Sequence, residues 1–403
     1  MTEHPQYRLL FTGQLVSFFG RQLTIVASAL QIFLLTDSSL QVGLLSLAQL
    51  GPVIVCSFLG GSLADAVDRR KLLIVANVLM TTTSIGLAAN AMLGQPQVWP
   101  LYVCTALNAG FSSIDAPTRT AAVATLVRRD QIPAAAALNQ TGYQFGQVAG
   151  PAFAGLIIAT VSIAAAYWFD VATFVIALVL LFRMQPMVPE GGGTRAGLSS
   201  VKEGLRYLRG QRAVQGTFLI DINAMVFGMP RALFPQLGTE LYGGGAGTVG
   251  LLYAAPAAGA FIGAVTTGWV GGVRRPGRAV LYAVIAWGAA IAAFGSTAWL
   301  PAGLLFLAVA GAADVISAVF RGTILQLQVP DRLRGRLNAI NIAVVTGGPR
   351  VGDLEAGVVA TATTAQFSVV SGGLACIAGV GLLARLRPEL GEWRAPDTLD
   401  PIT

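Results

Sequence analysis

Hydrophobic residues are gathered along this chain into twelve stretches of similar length, separated by short polar gaps. A helix needs about 20 apolar residues to cross the hydrocarbon core of a bilayer, and each stretch comes close to that length. The pattern therefore predicts an all-α membrane protein with twelve transmembrane helices. The stretches cover approximately residues 8–35, 40–64, 71–93, 98–117, 136–160, 163–184, 213–236, 247–270, 278–297, 300–321, 337–360 and 364–386.

Positive charge alternates from one polar gap to the next. Of the 26 basic residues, 23 fall in the two tails and in every second gap, whereas the intervening gaps hold none. Basic loops stay on the cytoplasmic side of a membrane protein. The alternation predicts cytoplasmic termini, a cytoplasmic connection over residues 183–212, and a multi-pass protein of the cytoplasmic (inner) cell membrane. The three remaining basic residues, inside apolar stretches, are Arg21, Arg231 and Arg350.

Composition excludes several other classes of protein. Hydrophobic residues make up 54% of the chain and charged residues 11%, against about 25% charged in a soluble domain. The net charge of +7 is spread over many short loops, which favours the lipid bilayer over nucleic acid as a partner. The three cysteines are isolated, so no metal site is predicted. The sequence shows no phosphate-binding Gly-Lys loop, so we expect neither ATP hydrolysis nor another enzymatic activity.

The sequence repeats itself at a distance of about half its length. Val-Gly-Leu-Leu at 42–45 recurs at 249–252, and Asp115 has a counterpart in Asp314. Parallel six-helix repeats are a transporter architecture, with the solute site near the midplane where the halves meet. We therefore predict two pseudo-symmetric bundles. The predicted domains are an N-terminal six-helix bundle (1–185), a cytoplasmic linker with an amphipathic helix (186–212), a C-terminal six-helix bundle (213–386) and a cytoplasmic tail (387–403).

A polar loop between the second and third stretches carries the first motif. Residues 60–71 read Gly-Gly-Ser-Leu-Ala-Asp-Ala-Val-Asp-Arg-Arg-Lys. This run resembles the signature loop of the major facilitator superfamily, in which a glycine allows two helices to approach closely and an acid four residues later latches the cytoplasmic side. Ala66 and Asp68 stand where that family usually has Arg and Gly, which puts the charge relay in doubt but not the latch. The latch residues that the resemblance implies are Gly61, Asp65, Arg69 and Arg70.

The fifth stretch carries a ladder of small residues at one-turn spacing. Such ladders let helices touch backbone to backbone, and generic tight packing is one explanation. The ladder also resembles the helix 5 signature of export-type members of the superfamily, where a Gly-Pro pair bends the helix and seals an interface. The residues are Gly142, Gly146, Gly150, Pro151 and Gly155.

Further segments resemble the enterobactin (siderophore) exporter branch of this superfamily. They lie at residues 115–119, 126–132, 138–151, 250–256, 326–331 and 334–338. The resemblance implies a secondary active transporter that exports a small amphiphilic molecule by alternating access, with a siderophore as the first expectation. Members of the branch are also associated with macrolide and tetracycline efflux, so a drug pump remains an alternative.

Ionisable residues inside the apolar stretches are the candidate transport residues, because each costs roughly 2.5 to 3.5 kcal/mol there. Asp115 and Asp314, together with Arg119 from the basic gap after the fourth stretch, are assigned to a gate or to packing. Asp170 is expected to reach water near the end of its helix. The candidate substrate or proton residues are Arg21, Asp221, Arg231, Arg350, Asp353 and Glu355.

Structural pairing is the competing explanation for these charges. Arg350 and Asp353 lie three residues apart and can pair locally. Arg21 and Arg231 either attract an anionic or catechol-bearing cargo or pair across helices with Asp221, Asp314 or Asp353. Asp221 and Glu355 are the preferred proton carriers, because burial disfavours a charged carboxylate.

The sequence therefore predicts a monomeric, proton-coupled exporter with a small-molecule substrate and no cofactor. An importer of the same fold would share nearly every feature, and the direction of transport decides between them. A membrane scaffold or receptor would not need unpaired charge within the membrane.

Overall fold

The computed structural model describes residues 4–188 and 206–394, and every regular element in these ranges is helical. The long helices match the predicted apolar stretches in order. They are α1 (Pro5–Thr36), α2 (Ser39–Ala48 continued by Leu50–Ala66), α3 (Arg69–Ala91), α4 (Val98–Leu126), α5 (Ile132–Thr160), α6 (Ile163–Phe182), α7 (Arg212–Phe227), α8 (Gly245–Val265), α9 (Pro276–Gly295), α10 (Leu300–Gln328), α11 (Asp331–Ala362), α12 (Ala365–Leu386) and the short α13 (Pro388–Glu392).

Nine helical segments within the described ranges are long and apolar enough to cross a membrane. They do not include α4, α5 and α11, which are as long as the others, at 29, 29 and 32 residues. These three helices carry many of the polar residues singled out in the sequence. The count of twelve crossings and the cytoplasmic position of the termini therefore remain predictions.

Local signals in the sequence set several helix ends. Asp68 caps α3, its carboxylate accepting a hydrogen bond from the Arg70 backbone N–H at 2.9 Å. Ser162 and Thr364 cap α6 and α12 in the same way. Such caps supply acceptors for backbone donors that lack a partner within the helix. At the end of α1, Asp37 takes the left-handed conformation, with φ of 50°, and its N–H bonds to the Phe33 carbonyl.

The predicted helix over 213–236 is interrupted, although Arg212–Leu241 as a whole is one of the nine candidate membrane spans. Helix α7 ends at Phe227, and short 3₁₀, α and π turns follow from Arg231 to Leu241. Gly228 and Pro230 explain the break, because proline lacks a backbone donor and clashes with the preceding turn. The indole of Trp287 donates to the Gly228 carbonyl at 2.9 Å, which satisfies one acceptor that the break exposes.

The chain divides into two compact units. Unit 1 comprises Met1–Ala196 and Ala232–Ala254, and unit 2 comprises Gly197–Arg231 and Ala255–Thr403. Segment 232–254 joins unit 1 because Ala232 and Val249 belong to the same apolar cluster as Leu23, Phe33 and Leu87. A second apolar cluster in unit 1 surrounds the start of α1 at Tyr7 and Leu10. The predicted bundle boundaries at 185 and 213 remain a prediction.

Unit 2 is held together by close approaches between small residues. A Cβ added at Gly311 would collide with the Pro256 carbonyl, and one added at Gly288 would lie 2.8 Å from the Gly373 carbonyl. The short helix α13 packs Leu390 against the start of α9 at Gly277. Backbone contact of this kind is how helices associate where lipid offers no hydrophobic drive.

Part of the predicted linker lies outside the described residues. Residues 189–205 of this linker, with most of its predicted amphipathic helix, fall in the undescribed range. Within the described part, residues 206–210 are helical. Tyr207 donates from its hydroxyl to the Gln328 carbonyl at 3.2 Å.

Candidate functional site

Helix α4 in unit 1 contains a buried ion pair. Arg119 Nε lies 2.6 Å from Asp115 Oδ2, four residues earlier on the same helix. Asn77 of α3 donates to the other carboxylate oxygen at 3.0 Å. Arg119 is only 3% exposed, so its inclusion among the cytoplasmic loop cations is wrong. The i,i+4 spacing, which brings side chains together on a helix, was the available signal.

A second buried acid in unit 1, Asp170 of α6, has neutral partners. Its Oδ2 accepts hydrogen bonds from Thr24 of α1 and Ser84 of α3, both at 2.7 Å. The residue is 0% exposed, so the expectation that it reaches water is wrong. The position of Asp170 along α6 did not reveal this burial, because the side chain is covered by two other helices, α1 and α3. Gly20 allows the cover: a Cβ there would lie 2.8 Å from Asp170 Oδ1.

Arg21 lies one turn before Thr24 on α1. Its guanidinium donates to the Ser112 hydroxyl of α4 and sits over the Phe18 ring, 5.1 Å from the centroid. No acid lies within ion-pair distance of it among the described residues. Its partners within unit 1 are therefore a hydroxyl and an aromatic face, and the cross-helix pair with Asp221, Asp314 or Asp353 stays a prediction.

The glycine ladder of α5 lies against two helices of unit 1. A Cβ at Gly146 would lie 2.6 Å from the Phe18 ring, and one at Gly150 would lie 2.5 Å from Gln22, both on α1. Further along, Gly155 faces α8, where its Cβ would lie 2.7 Å from the Ala246 carbonyl and 3.0 Å from Gly250. Pro151 is buried between these contacts. The ladder thus serves close packing at both of its ends.

The signature loop is fixed by its basic residues. Arg69 donates to the Ala121 carbonyl at 3.3 Å, and Arg70 donates to the Leu181 and Phe182 carbonyls at 3.0 and 2.7 Å. Positive side chains stabilise helix C-termini, and Arg70 does so at the end of α6.

The glycine that makes close contact in this loop is not the predicted one. Gly61 has open space at its Cβ position, whereas a Cβ at Gly60 would lie 2.8 Å from the Ile114 backbone. The side chain of Asp65, the predicted latch acid, lies outside the described residues.

Unit 2 holds its own buried ion pair between α7 and α10. Asp221 Oδ1 lies 2.8 Å from Arg321 Nη2. The same guanidinium donates a hydrogen bond to the Ser317 hydroxyl at 3.1 Å. Asp221 and Arg321 are close enough for an ion pair, but the atoms are not aligned for a hydrogen bond between them. Arg321, which was counted with the cations of the polar gaps, is 7% exposed and belongs to this pair. Asp314, half-buried on α10, lies within electrostatic reach of both charges.

The other candidate charges of unit 2 lie after the break in α7 and on α11. Arg231 Nη2 lies 3.6 Å from Asp353 Oδ2, so the predicted cross-helix partner for this arginine is present. Arg350 instead donates to the Thr346 carbonyl, and no Arg350–Asp353 ion pair forms in the described part of the chain. Glu355 is half-buried on the same helix.

Comparison with known sequences decides the family. The family described as transmembrane secretion effector (MFS_3) matches residues 2–400. The chain belongs to this family of the major facilitator superfamily. It is similar to the enterobactin exporter EntS of Shigella boydii serotype 18, at 31% identity over 97% of this chain and 94% of that protein. The similarity to EntS of Citrobacter koseri is also 31%, over 98% of this chain and 94% of that protein.

Solved structures of the superfamily share the fold. A bacterial homologue of the human lysosomal transporter Spinster, solved inward-facing and unoccupied, matches with a TM-score of 0.76, 13% identity and coverage of 97% and 98%. A D-xylose–proton symporter matches with a TM-score of 0.72, 15% identity and coverage of 96% and 99%. The predicted superfamily and membrane location are confirmed: the chain is a multi-pass transporter of the cytoplasmic membrane and not an enzyme.

In this transporter the structure brings the predicted charges together in three groups. Asp115 pairs with Arg119, Asp221 with Arg321, and Asp353 with Arg231. Ion pairing lowers the cost of holding charge away from water. Asp170, Arg21 and Arg350 lie outside these pairs and have neutral hydrogen-bond partners.

Proposed function

We propose that this transporter is a proton-coupled exporter of a small amphiphilic molecule, with a siderophore of the enterobactin class as the first candidate for the cargo. The observation that carries the proposal is the 31% identity, over 97% of the chain, to proteins named enterobactin exporters. The close approach of α5 to α8 at Gly155 and Gly250 supports export, since the ladder resembles a signature of export-type members.

A proton gradient is the proposed energy source, and the proposal requires no cofactor. Buried carboxyl groups suit proton coupling because desolvation penalises their charged form. In the described part of the chain four aspartates are buried: Asp115, Asp170, Asp221 and Asp353. Each is a site at which a proton can be gained or lost if the surrounding partners allow it.

Alternating access is the proposed mechanism, with two six-helix halves exposing one site to each side in turn. Asp65, Arg69 and Arg70 would latch the cytoplasmic side, together with Asp115, Arg119 and Asp314. Arg70 supports a role for this loop, because it ties the start of α3 to the end of α6. The proposed partners are the small-molecule cargo and the bilayer, and the proposed functional unit is a monomer.

Transport into inverted membrane vesicles tests this proposal. Vesicles from cells that express the full chain are given labelled enterobactin, with the vesicle lumen either more acidic than the medium or at equal pH. We expect accumulation that the pH gradient stimulates and a protonophore abolishes. Vesicles from cells without the protein are the control.

Each other outcome contradicts a specific part of the proposal. Uptake that ignores the imposed gradient would defeat proton coupling. Uptake of a macrolide or tetracycline without enterobactin would favour the drug-efflux alternative. Accumulation in right-side-out vesicles alone would identify an importer.

A further inference from the structure

Asp170 is held at a junction of three helices. The carboxyl group projects from α6, its Oδ2 accepts the hydroxyls of Thr24 on α1 and Ser84 on α3, and none of its surface is exposed. Its other oxygen, Oδ1, has no hydrogen-bond partner. Within the described ranges no arginine, lysine or histidine lies within 4.0 Å of it, so this carboxyl has two donors and no counter-charge.

The cation that would balance it is close by but turned elsewhere. Arg21 and Thr24 lie three residues apart on α1, and residues at that spacing share a helix face. Thr24 reaches Asp170, whereas Arg21 reaches Ser112 of α4. Unit 1 therefore holds a buried acid and a half-buried cation near one another, each on neutral partners. Its second acid, Asp115, has an ion pair with Arg119.

The surroundings of Asp170 favour one protonation state of its carboxyl group. An ionised carboxylate without exposure or a counter-charge is costly, and such a group becomes neutral instead. A proton on Oδ1 would occupy the oxygen that lacks a donor and would leave both hydroxyl bonds to Oδ2 intact. The arrangement thus fits a protonated carboxyl more closely than a permanent charge.

Few other titratable groups face this site. Arg21 comes from α1, Tyr167 from α6 itself and Cys104 from α4. Arg21 in turn faces Asp115 and Arg119, which pair with each other on α4, and Tyr143 of α5. Helix α3 has no titratable residue between Leu72 and Ala91, and the only one on α5 is Tyr143. Arg21 is therefore the one cation on these elements that lies near enough to respond when Asp170 changes charge.

We propose that Asp170 is the proton-binding carboxyl of unit 1 and that Arg21 is its partner once the proton has left. In the protonated state Asp170 is neutral and Arg21 stays with Ser112, as the structure has them. When the O–H bond of the carboxyl breaks, the proton passes to water and the carboxylate keeps the electron pair. The new negative charge then draws Arg21 from Ser112 to Asp170.

This inference rests on the proposed proton coupling and names its site. The movement of Arg21 would change the polarity of the α4 face at Ser112 with each proton gained or lost. Exchange of proton for cargo needs such a change, because the cargo must meet a different site in each protonation state. Asp221 and Glu355, the carriers preferred from the sequence, are thereby replaced by a residue that the sequence placed near water.

Infrared difference spectroscopy of the purified full-length protein tests the site without any cargo. Spectra are compared between acidic and alkaline buffer, where a buried carboxyl gives a sharp C=O stretch in its protonated form only. We expect this band in the wild type, its loss in Asp170→Asn and its retention in Glu355→Gln. A band that persists unchanged in Asp170→Asn, or that is absent from the wild type, would overturn the proposal.

Two further variants test the assignment even if Asp170→Asn does not fold. Ser84→Ala removes one hydroxyl donor and keeps the carboxyl, so we expect the band to remain and to move to higher frequency, because a hydrogen bond weakens the C=O bond. Thr24→Val should have the same effect. A band whose frequency ignores both changes would belong to another residue and would also overturn the assignment.

Vesicle transport separates this inference from the proposed function. We expect the Asp170→Asn variant still to exchange enterobactin across the membrane. The stimulation of transport by a pH gradient should fall at least about tenfold. Equal stimulation in variant and wild type would refute the role of Asp170 while leaving proton coupling intact. A wild type that ignores the gradient would refute proton coupling, and the infrared result would still decide whether Asp170 binds a proton.

Discussion

Asp170 in unit 1 and Asp221 in unit 2 are buried to nearly the same degree, at 0% and 1% exposure, but their partners differ. Two hydroxyl groups hold Asp170, whereas the guanidinium of Arg321 lies 2.8 Å from Asp221. A hydroxyl serves a neutral or a charged carboxyl, but a buried arginine requires the charged one. The charge of the partner therefore decides which acid is free to change its protonation.

The two halves of the sequence differ in the same respect. At the repeat distance of 199 residues, Ala122 of α4 corresponds to Arg321 on α10. The repeat thus preserves the helices without preserving the ion pair, and each unit has its own arrangement of charge.

Breaking the Asp221–Arg321 pair should have the largest effect on this comparison. Arg321→Gln leaves Asp221 as a buried carboxylate without its counter-charge, which costs about 3 to 5 kcal/mol. Asp221→Asn should cost a similar amount because it strands the arginine. We expect both variants to lower the melting temperature in detergent and the yield of folded protein in fluorescence-detected size-exclusion chromatography.

The matched controls are a double variant and the acid of the other unit. Asp221→Asn with Arg321→Gln removes both charges and should lose much less stability than the two single losses added. Asp170→Asn should cost only about 1 kcal/mol, since an amide oxygen accepts the same two hydroxyls. Equal losses for Asp170→Asn and Asp221→Asn would show that the partners do not differ in the way proposed.

The helices could be predicted from the sequence, but not all of the partners of the buried charges. Apolar stretches of transmembrane length gave the order of α1 to α12, since length and hydropathy are local properties. The partners of Asp170 come from α1 and α3, 146 and 86 residues away in sequence, so no local pattern indicates its burial. Arg321 was not predicted as a site residue, and Arg119, although assigned to the gate, was counted with the loop cations. A count of basic residues cannot separate a loop from the last turns of a helix.

Gly20 offers a milder change at the junction around Asp170. A Cβ there would collide with Thr173 Oγ1 and lie 2.8 Å from Asp170 Oδ1. Gly20→Ala should therefore push α1 away from α6 and cost about 1 to 3 kcal/mol through overpacking. The melting temperature measures the loss, and the C=O band of Asp170 should shift, because the Thr24 hydroxyl moves with α1.

Gly61→Ala is the control for this substitution. Gly61 belongs to the signature loop, but its Cβ position has no neighbour within 4 Å. Alanine there should leave the melting temperature unchanged. A loss as large as that of Gly20→Ala would show that the contact predicted for Gly61 forms after all.

The smallest effect should come from an ion pair at the surface of unit 2. Glu389 of α13 lies 3.0 Å from Arg212, and both side chains reach solvent. The backbone N–H of Glu389 itself, and next the hydrogen bond from Arg212, hold the pKa of this carboxyl below its ordinary value of 4.5. A lowered pKa stabilises the fold above that value, and the contribution is lost as the pH falls below it. Water screens such a pair.

Glu389→Gln should therefore leave the melting temperature at neutral pH unchanged and flatten its decline only slightly below about pH 4.5. Leu390→Ala is the contrasting variant, because this neighbouring residue is buried against Gly216 and Gly277. It should lower the melting temperature at every pH, since packing does not depend on protonation. If Glu389→Gln destabilised the protein as much as Asp221→Asn, an exposed ion pair would count for as much as a buried one, and the cost of breaking the Asp221–Arg321 pair could not be assigned to its burial.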